Sequence, residues 1–124
     1  MKKTVNSLLV SGLLLAAAPS MACDYPARPD IPDGSTASLE EMQSASKSVK
    51  DYLGQVDEYL TCIEEEEKDA VAAMDEAPDD AELKRRSEML DKRFDAANEE
   101  KELVGEMFNQ QVRAYKDKAR AARN

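Results

Sequence analysis

From Leu39 to Met74, 11 positions recur alternately every three and every four residues, and nine of them are apolar. An average spacing of about 3.5 residues is typical of a coiled-coil seam, because it keeps one narrow stripe of a helix against a neighbouring helix. Ser38 and Glu41, at the start of the stripe, have the spacing of a capping box. The pattern therefore predicts a first helix over about 39–76. Its seam positions are Leu39, Met42, Ser46, Val49, Leu53, Val56, Leu60, Ile63, Glu67, Ala70 and Met74.

A second apolar stripe follows Pro78, where the first helix is expected to end because the residue before a proline avoids helical backbone. Asp79 and Glu82 repeat the capping-box spacing, and the predicted second helix runs over about 80–121. Such a short connection makes the two helices antiparallel neighbours, so the predicted fold is all-α, a coiled-coil-like two-helix hairpin. The apolar positions of helix 2 are Leu83, Leu90, Phe94, Ala97, Val104, Phe108 and Tyr115. The facing pairs are then Ile63 with Phe94, Leu60 with Ala97, Leu53 with Val104, Val49 with Phe108, and Met42 with Tyr115.

Residues 1–22 have the three parts of a signal peptide. A basic start is followed by an apolar run over 8–18 and by a small-residue cleavage site from Ser20 to Ala22. The apolar run is well short of the roughly 20 residues that a membrane-spanning helix needs. We therefore expect export to the periplasm, cleavage between Ala22 and Cys23, and no membrane insertion after the signal is removed.

Cys23 and Cys62 are the two cysteines of the chain. A periplasmic location predicts that they form one disulfide, because thiols are kept oxidised there. The alternative is that Cys23, directly after the cleavage site, becomes the acylated N-terminus of an envelope lipoprotein. Residue 20 is a serine, where lipoprotein signals carry an aliphatic residue, and acylation would leave Cys62 as an odd thiol. The disulfide is therefore the preferred interpretation.

Residues 23–37 form an arm ahead of the hairpin, which takes up residues 38–124. Prolines at three positions of the arm prevent a helix and favour extended backbone. In that form the arm is just long enough to run back along helix 1 until Cys23 meets Cys62. We therefore predict that the arm packs on helix 1 and that the disulfide pins it there.

Two further surfaces lie beside the predicted seam. On helix 1, Tyr52 and Tyr59 are one heptad apart, and we expect them to hold the arm. In the alternative interpretation these tyrosines are exposed and bind a partner. On helix 2, four residues lie off the seam, Met89, Ala96, Leu103 and Met107. They are candidates either for a partner surface or for the far wall of the arm's groove.

The charge of the chain excludes several classes of partner. Loss of Lys2 and Lys3 with the signal leaves 15 basic and 26 acidic residues, a formal net charge of −11. Nucleic acids and anionic membrane surfaces are bound through cations, so neither is expected as a partner. The acidic surface would suit a basic protein, and it also keeps a small domain in solution.

Chemistry that most enzymes need is missing from the sequence. The chain has no histidine and no glycine-rich phosphate loop, and pairing of the cysteines removes the thiol nucleophiles. Glu64 to Glu67 are consecutive, so on a helix they point around the axis and do not converge on a metal. We therefore expect no enzyme activity, no cofactor and no metal site.

Two stretches have a recognisable sequence, Cys23-Asp24-Tyr25-Pro26-Ala27-Arg28-Pro29-Asp30-Ile31-Pro32-Asp33-Gly34 and Tyr59-Leu60-Thr61-Cys62. They resemble a group of small, uncharacterised exported proteins of Gram-negative bacteria. The resemblance covers the arm and helix 1, which is roughly the first half of the mature chain. It implies export and a cysteine pair, and it implies no particular activity.

The sequence thus predicts a non-enzymatic interaction or structural protein of the periplasm. Its partner would be another envelope protein or a second copy of the chain. Two other hypotheses stay open at this point. One is a chaperone-like binder of unfolded or newly exported envelope proteins, which needs exposed apolar surface. The other is the lipid-anchored envelope protein with Cys23 as its acylated N-terminus.

Overall fold

The computed structural model describes residues 23–124, so the predicted signal peptide lies outside the described residues. Two helices, α1 (Leu39–Ala72) and α2 (Asp80–Ala121), pack against each other, and the described residues contain no strand. The predicted all-α hairpin is confirmed. Helix α2 ends where the sequence placed it, whereas α1 is shorter than expected.

Helix α1 begins with the predicted capping box. The Glu41 backbone N–H donates to Ser38 Oγ at 3.2 Å, and the Ser38 N–H donates to Glu41 Oε2 at 2.7 Å. These two bonds satisfy two of the amides that a helix start leaves without partners. The bond from the Ser38 backbone N–H also holds the pKa of Glu41 below its ordinary value, and the Ser38 side chain lowers this pKa further.

Helix α1 ends at Ala72, about one turn before the predicted limit near residue 76. Its last turn contains no basic residue, and Asp75 and Glu76 would extend it with acidic ones. Negative charge at a helix C-terminus opposes the helix dipole, so the helix gains little by continuing. Residues 73–79 therefore form a longer connection than the sequence suggested.

The start of α2 has only half of its predicted capping box. Asp79 Oδ1 accepts a hydrogen bond from the Glu82 backbone N–H at 2.8 Å, as expected for the cap. The Glu82 carboxylate does not return a bond to the cap, because it is bound by Arg85 at 2.6 Å. That hydrogen bond lowers the pKa of Glu82.

The buried core lies in the half of the hairpin nearest the chain ends. Ion pairs between the helices, Asp57 with Lys101 and Glu67 with Arg86 at 2.7 Å, agree with the predicted register to within about one turn. The most completely buried side chains are Val56, Ile63 and Val104. The full set of buried apolar residues is Ala37, Met42, Ala45, Val49, Tyr52, Val56, Ile63, Ala97 and Val104. On α1 no residue beyond Ile63 is buried, and on α2 none before Ala97.

The arm covers one face of this core. It runs as extended chain from Cys23 to a turn at residues 34–36, where the Thr36 and Ala37 amides donate to the Asp33 carbonyl at 3.1 and 2.8 Å. Ile31 packs against the core cluster that both helices form. The arm lies on helix 1, as predicted, and it also bonds to α2. It does so because α2 supplies polar partners that the sequence analysis did not assign.

Candidate functional site

The arm is fixed at its N-terminal end by the predicted disulfide. The sulfurs of Cys23 and Cys62 are 2.01 Å apart, their Cα atoms are 5.8 Å apart, and the sequence separation is 39 residues. The disulfide prediction is therefore confirmed. A loop of this length is worth about 4 kcal/mol on the chain-entropy model. Acylation of Cys23 would use the same sulfur, so the disulfide and the lipid anchor exclude each other.

Tyr25 of the arm joins the two tyrosines of the α1 stripe. Its hydroxyl lies 3.1 Å from the hydroxyl of Tyr52, and its ring meets that of Tyr59 edge to face, with centroids 5.0 Å apart. The Arg93 guanidinium covers Tyr59 at 5.7 Å from the ring centroid and donates to its hydroxyl at 3.3 Å. Burial raises the pKa of Tyr52, and the hydrogen bond with Tyr25 raises it further. Tyr52 and Tyr59 thus both contact the arm in this structure.

Three contacts tie the rest of the arm to α2. Arg28 Nε donates to Glu100 at 2.6 Å, and Lys118 Nζ donates to the carbonyl oxygen of Ala37. Between them, the Gly34 N–H donates to Gln111 Oε1 at 3.0 Å. These three polar contacts hold the arm along α2, whereas the disulfide and the tyrosines hold it on α1.

Gly34 makes the closest approach of the arm to α2. A Cβ atom built on Gly34 would lie 1.9 Å from the carbonyl oxygen of Gln111 and 2.9 Å from the backbone nitrogen of Tyr115. These are backbone atoms of a helix, which cannot move aside. The backbone of Gly34 has no positive φ, so the glycine is needed for space and not for its conformational freedom.

Only a weak sequence pattern indicates the contacts of the arm with α2. Gln111 and Lys118 continue the heptad position that the buried Ala97 and Val104 occupy. A polar side chain at a seam position indicates that something other than the facing helix lies against it. Nothing in the sequence identified Arg28 as a partner of α2.

The predicted off-seam residues of α2 are divided by the structure. Met89 is 57 % exposed and Leu103 is 45 % exposed, whereas Met107 is half-buried. Their neighbour Ala96 lines a pocket beside the arm together with Tyr25. The far-wall interpretation therefore applies to Ala96, and Met89 and Leu103 stay uncovered in this structure.

The side of the hairpin opposite the arm carries a second apolar stripe, which we call the open face. Leu53 and Leu60 each follow an arm-binding tyrosine by one residue, so they point about 100° further around α1. On α2, Arg93 contacts Tyr59 on the side of the arm, and Phe94 follows Arg93 by one residue. Phe108 lies two heptads after Phe94. All four side chains are only half-buried. The arm, residues 23–37, lies on the other side of the hairpin.

The open face continues towards the hairpin connection as a shallow apolar groove. Val71 and Ala72 of α1 and Leu83 and Leu90 of α2 line it. Leu83 is 44 % exposed, and the ion pair of Glu67 with Arg86 closes the groove on the side of the seam. The groove lies where the buried core has ended, so these side chains have little apolar surface of their own chain to pack on.

Within residues 23–124, no group of three or more histidine, cysteine, aspartate or glutamate side chains could hold a metal ion. None of the helices in this range is long and apolar enough to cross a membrane. The polar groups between the arm and the helices form hydrogen bonds and ion pairs with one another.

Comparisons with known proteins return no relative. No family model matches the chain, and no curated protein and no solved structure matches it. The surfaces described above are therefore the basis for a functional proposal.

Proposed function

We propose that this chain is an exported, periplasmic protein that binds another envelope protein or a second copy of itself and catalyses no reaction. The observation that carries the proposal is the contrast between the two sides of the hairpin. A covalently pinned arm covers one side, and the other side presents half-buried leucines and phenylalanines. Contiguous apolar surface that is left partly uncovered is typical of protein interaction sites.

Two observations support the location. Residues 1–22 have the composition of a signal peptide, and the Cys23–Cys62 disulfide belongs to chains that fold in an oxidising compartment. Mass spectrometry of the protein from a periplasmic fraction tests this part of the proposal. We expect a chain that begins at Cys23 and does not react with an alkylating reagent until it is reduced. An acylated N-terminus or two free thiols would contradict it and would favour the lipoprotein.

Site-specific photo-crosslinking in cells tests the binding surface. A photoreactive residue at Phe94 or at Leu83 is expected to capture the same partner, because both positions belong to the open face. Lys47, an exposed residue of α1, is the matched control position and should capture nothing specific. Equal capture at all three positions would indicate random collisions, and no capture at Phe94 and Leu83 would refute the proposed surface.

The exposure of Met89 and Leu103 favours one alternative, a chaperone-like binder of unfolded envelope proteins. Such a protein needs apolar surface that is open and adaptable. It should delay the aggregation of an unfolded client and should bind a fluorescent dye for apolar surface. If the protein does both, and if Met89→Gln together with Leu103→Gln abolishes both effects, the chaperone function is the better assignment.

A further inference from the structure

We propose that the open face is a homodimer interface, in which two hairpins pack face to face as a four-helix bundle with their arms on the outside. This inference rests on the proposed function and makes it more specific, because it identifies a second copy of the chain as the partner. Three properties of the open face support a second copy.

The first property is the position of the apolar side chains in the heptad repeat. Leu53 and Leu60 share one heptad position on α1, and Phe94 and Phe108 share one on α2. In a hairpin such residues sit at the edge of the seam and are half-buried, whereas in a four-helix bundle they form the centre of the core. The sequence therefore continues a core pattern that one hairpin does not complete.

The second property is the size of the face. Helix α1 has 34 residues and so is about 50 Å long, and two helices side by side are roughly 20 Å wide. Each copy would then contribute about 1000 Å² to a face-to-face contact. The total of about 2000 Å² is at the upper end of the range for stable, specific interfaces.

The third property is the charge along the border of the face. Lys101 lies within the face, one heptad from Phe94 and one from Phe108, and it pairs with Asp57 across the two helices. The predicted mature chain as a whole carries a net charge of −11. The residues near the border on the helical repeat include charges of both signs, Lys50, Glu64, Lys84 and Asp91. A basic partner would find no excess of acid on this border, whereas two copies can approach each other there without net repulsion.

Gly105 gives the dimer a specific test. It follows the buried Val104 by one residue on the open-face side of α2 and is half-buried, and a Cβ built on it would meet nothing within 4 Å. An arginine therefore fits at this position in a single hairpin and suits a helix better than glycine does. It would, however, place a long charged side chain against the facing copy. Gly54 of α1 is equally free of neighbours but is exposed and lies about 100° around α1 from Leu53, so Gly54→Arg is the matched control.

The experiment uses the oxidised mature protein at a series of concentrations in size-exclusion chromatography with light scattering and in analytical ultracentrifugation. The wild type and Gly54→Arg are expected to have twice the mass of the chain. Gly105→Arg is expected to be monomeric, or to raise the dissociation constant of the dimer by about tenfold or more, an unfavourable change of about 1.4 kcal/mol. Circular dichroism should show the same helix content in all three proteins.

Two results would overturn the homodimer. One is a monomeric wild type at every concentration, and the other is a dimer that Gly105→Arg and Gly54→Arg affect equally. Crosslinking at Phe94 separates this inference from the proposed function. A monomer that is captured there by a different envelope protein overturns the homodimer and leaves the interaction function in place. A monomer that captures nothing overturns both.

Discussion

Replacement of Gly34 by alanine is expected to destabilise the protein, because the arm and α2 touch backbone to backbone at this residue. The new methyl group would lie 1.9 Å from the Gln111 carbonyl oxygen, whereas ordinary contacts begin near 3.4 Å. The arm must therefore move back by about 1.5 Å, the difference between these two distances. A retreat of this size breaks the 3.0 Å hydrogen bond from the Gly34 N–H to Gln111 Oε1.

The expected size of the effect follows from three contributions. Forcing a group into packed structure costs about 1–3 kcal/mol, and loss of the hydrogen bond costs about 1 kcal/mol. The alanine also reduces the conformational freedom of the unfolded chain, which offsets about 0.4–1 kcal/mol. We expect Gly34→Ala to lower the free energy of unfolding by about 2 kcal/mol, which for a domain of this size lowers Tm by roughly 10 °C.

The assay is urea and thermal unfolding of the oxidised protein, followed by circular dichroism. Gly54→Ala is the matched control, since its Cβ would meet nothing within 4 Å in the middle of α1. There the same chemical change should stabilise the helix by about 0.5–1 kcal/mol. The two substitutions are thus expected to have opposite signs. A Gly34→Ala protein as stable as the wild type, beside a stabilised Gly54→Ala protein, would refute the close contact between arm and α2.

Three further predictions concern the arm and the first helix. Cys62→Ser should lower the free energy of unfolding by about 4 kcal/mol in urea titrations, and reduction of the wild type should match it. The pKa of Tyr52 is raised in the folded state, so the free energy of unfolding should fall as the pH rises above the ordinary tyrosine value of 10.0. In an absorbance titration, the Tyr52→Phe protein should lack the tyrosine that ionises last in the wild type. The pKa values of Glu41 and Asp33 are lowered, so the stabilisation they give above their ordinary values of 4.5 and 3.8 should disappear as the pH falls. Glu41→Gln should flatten the acid side of the stability profile, and an unchanged profile would contradict the capping role of this carboxylate.

The parts of this fold that could be predicted depend on local spacing. The seam repeat and the Ser38 capping box define α1 from its first residue, and the cysteine pair follows from the compartment and from the reach of a proline-stiffened arm. The end of α1 at Ala72 was missed because proline marks only the latest residue at which a helix can stop. Asp75 and Glu76, which precede Pro78, disfavour continuation of the helix, and it ends one turn earlier.

The contacts of the arm with α2 were not predicted for a different reason. An extended segment that lies along a pair of helices can contact one helix or both. Which of these occurs depends on helix side chains that are far away from the segment in the sequence. Gly34 and Gln111 are 77 residues apart, and Arg28 and Glu100 are 72 residues apart. No periodic pattern connects such positions. Only the polar residues Gln111 and Lys118 at a seam position of α2 indicate these contacts in the sequence.

The disulfide also explains why the arm covers only one side of the hairpin. Ordering an extended segment costs about 1–2 kcal/mol for each residue, and an arm has few apolar side chains with which to offset this cost. Here Ile31 and Ala37 supply burial, prolines limit the freedom of the unfolded arm, and the bond from Cys23 to Cys62 limits it further. No comparable device is available to the open face within the described chain. Leu53, Leu60 and Phe108 pack against the core cluster but stay half-buried. In the proposed dimer a second copy would complete their burial, and its concentration would then affect how stable the hairpin is.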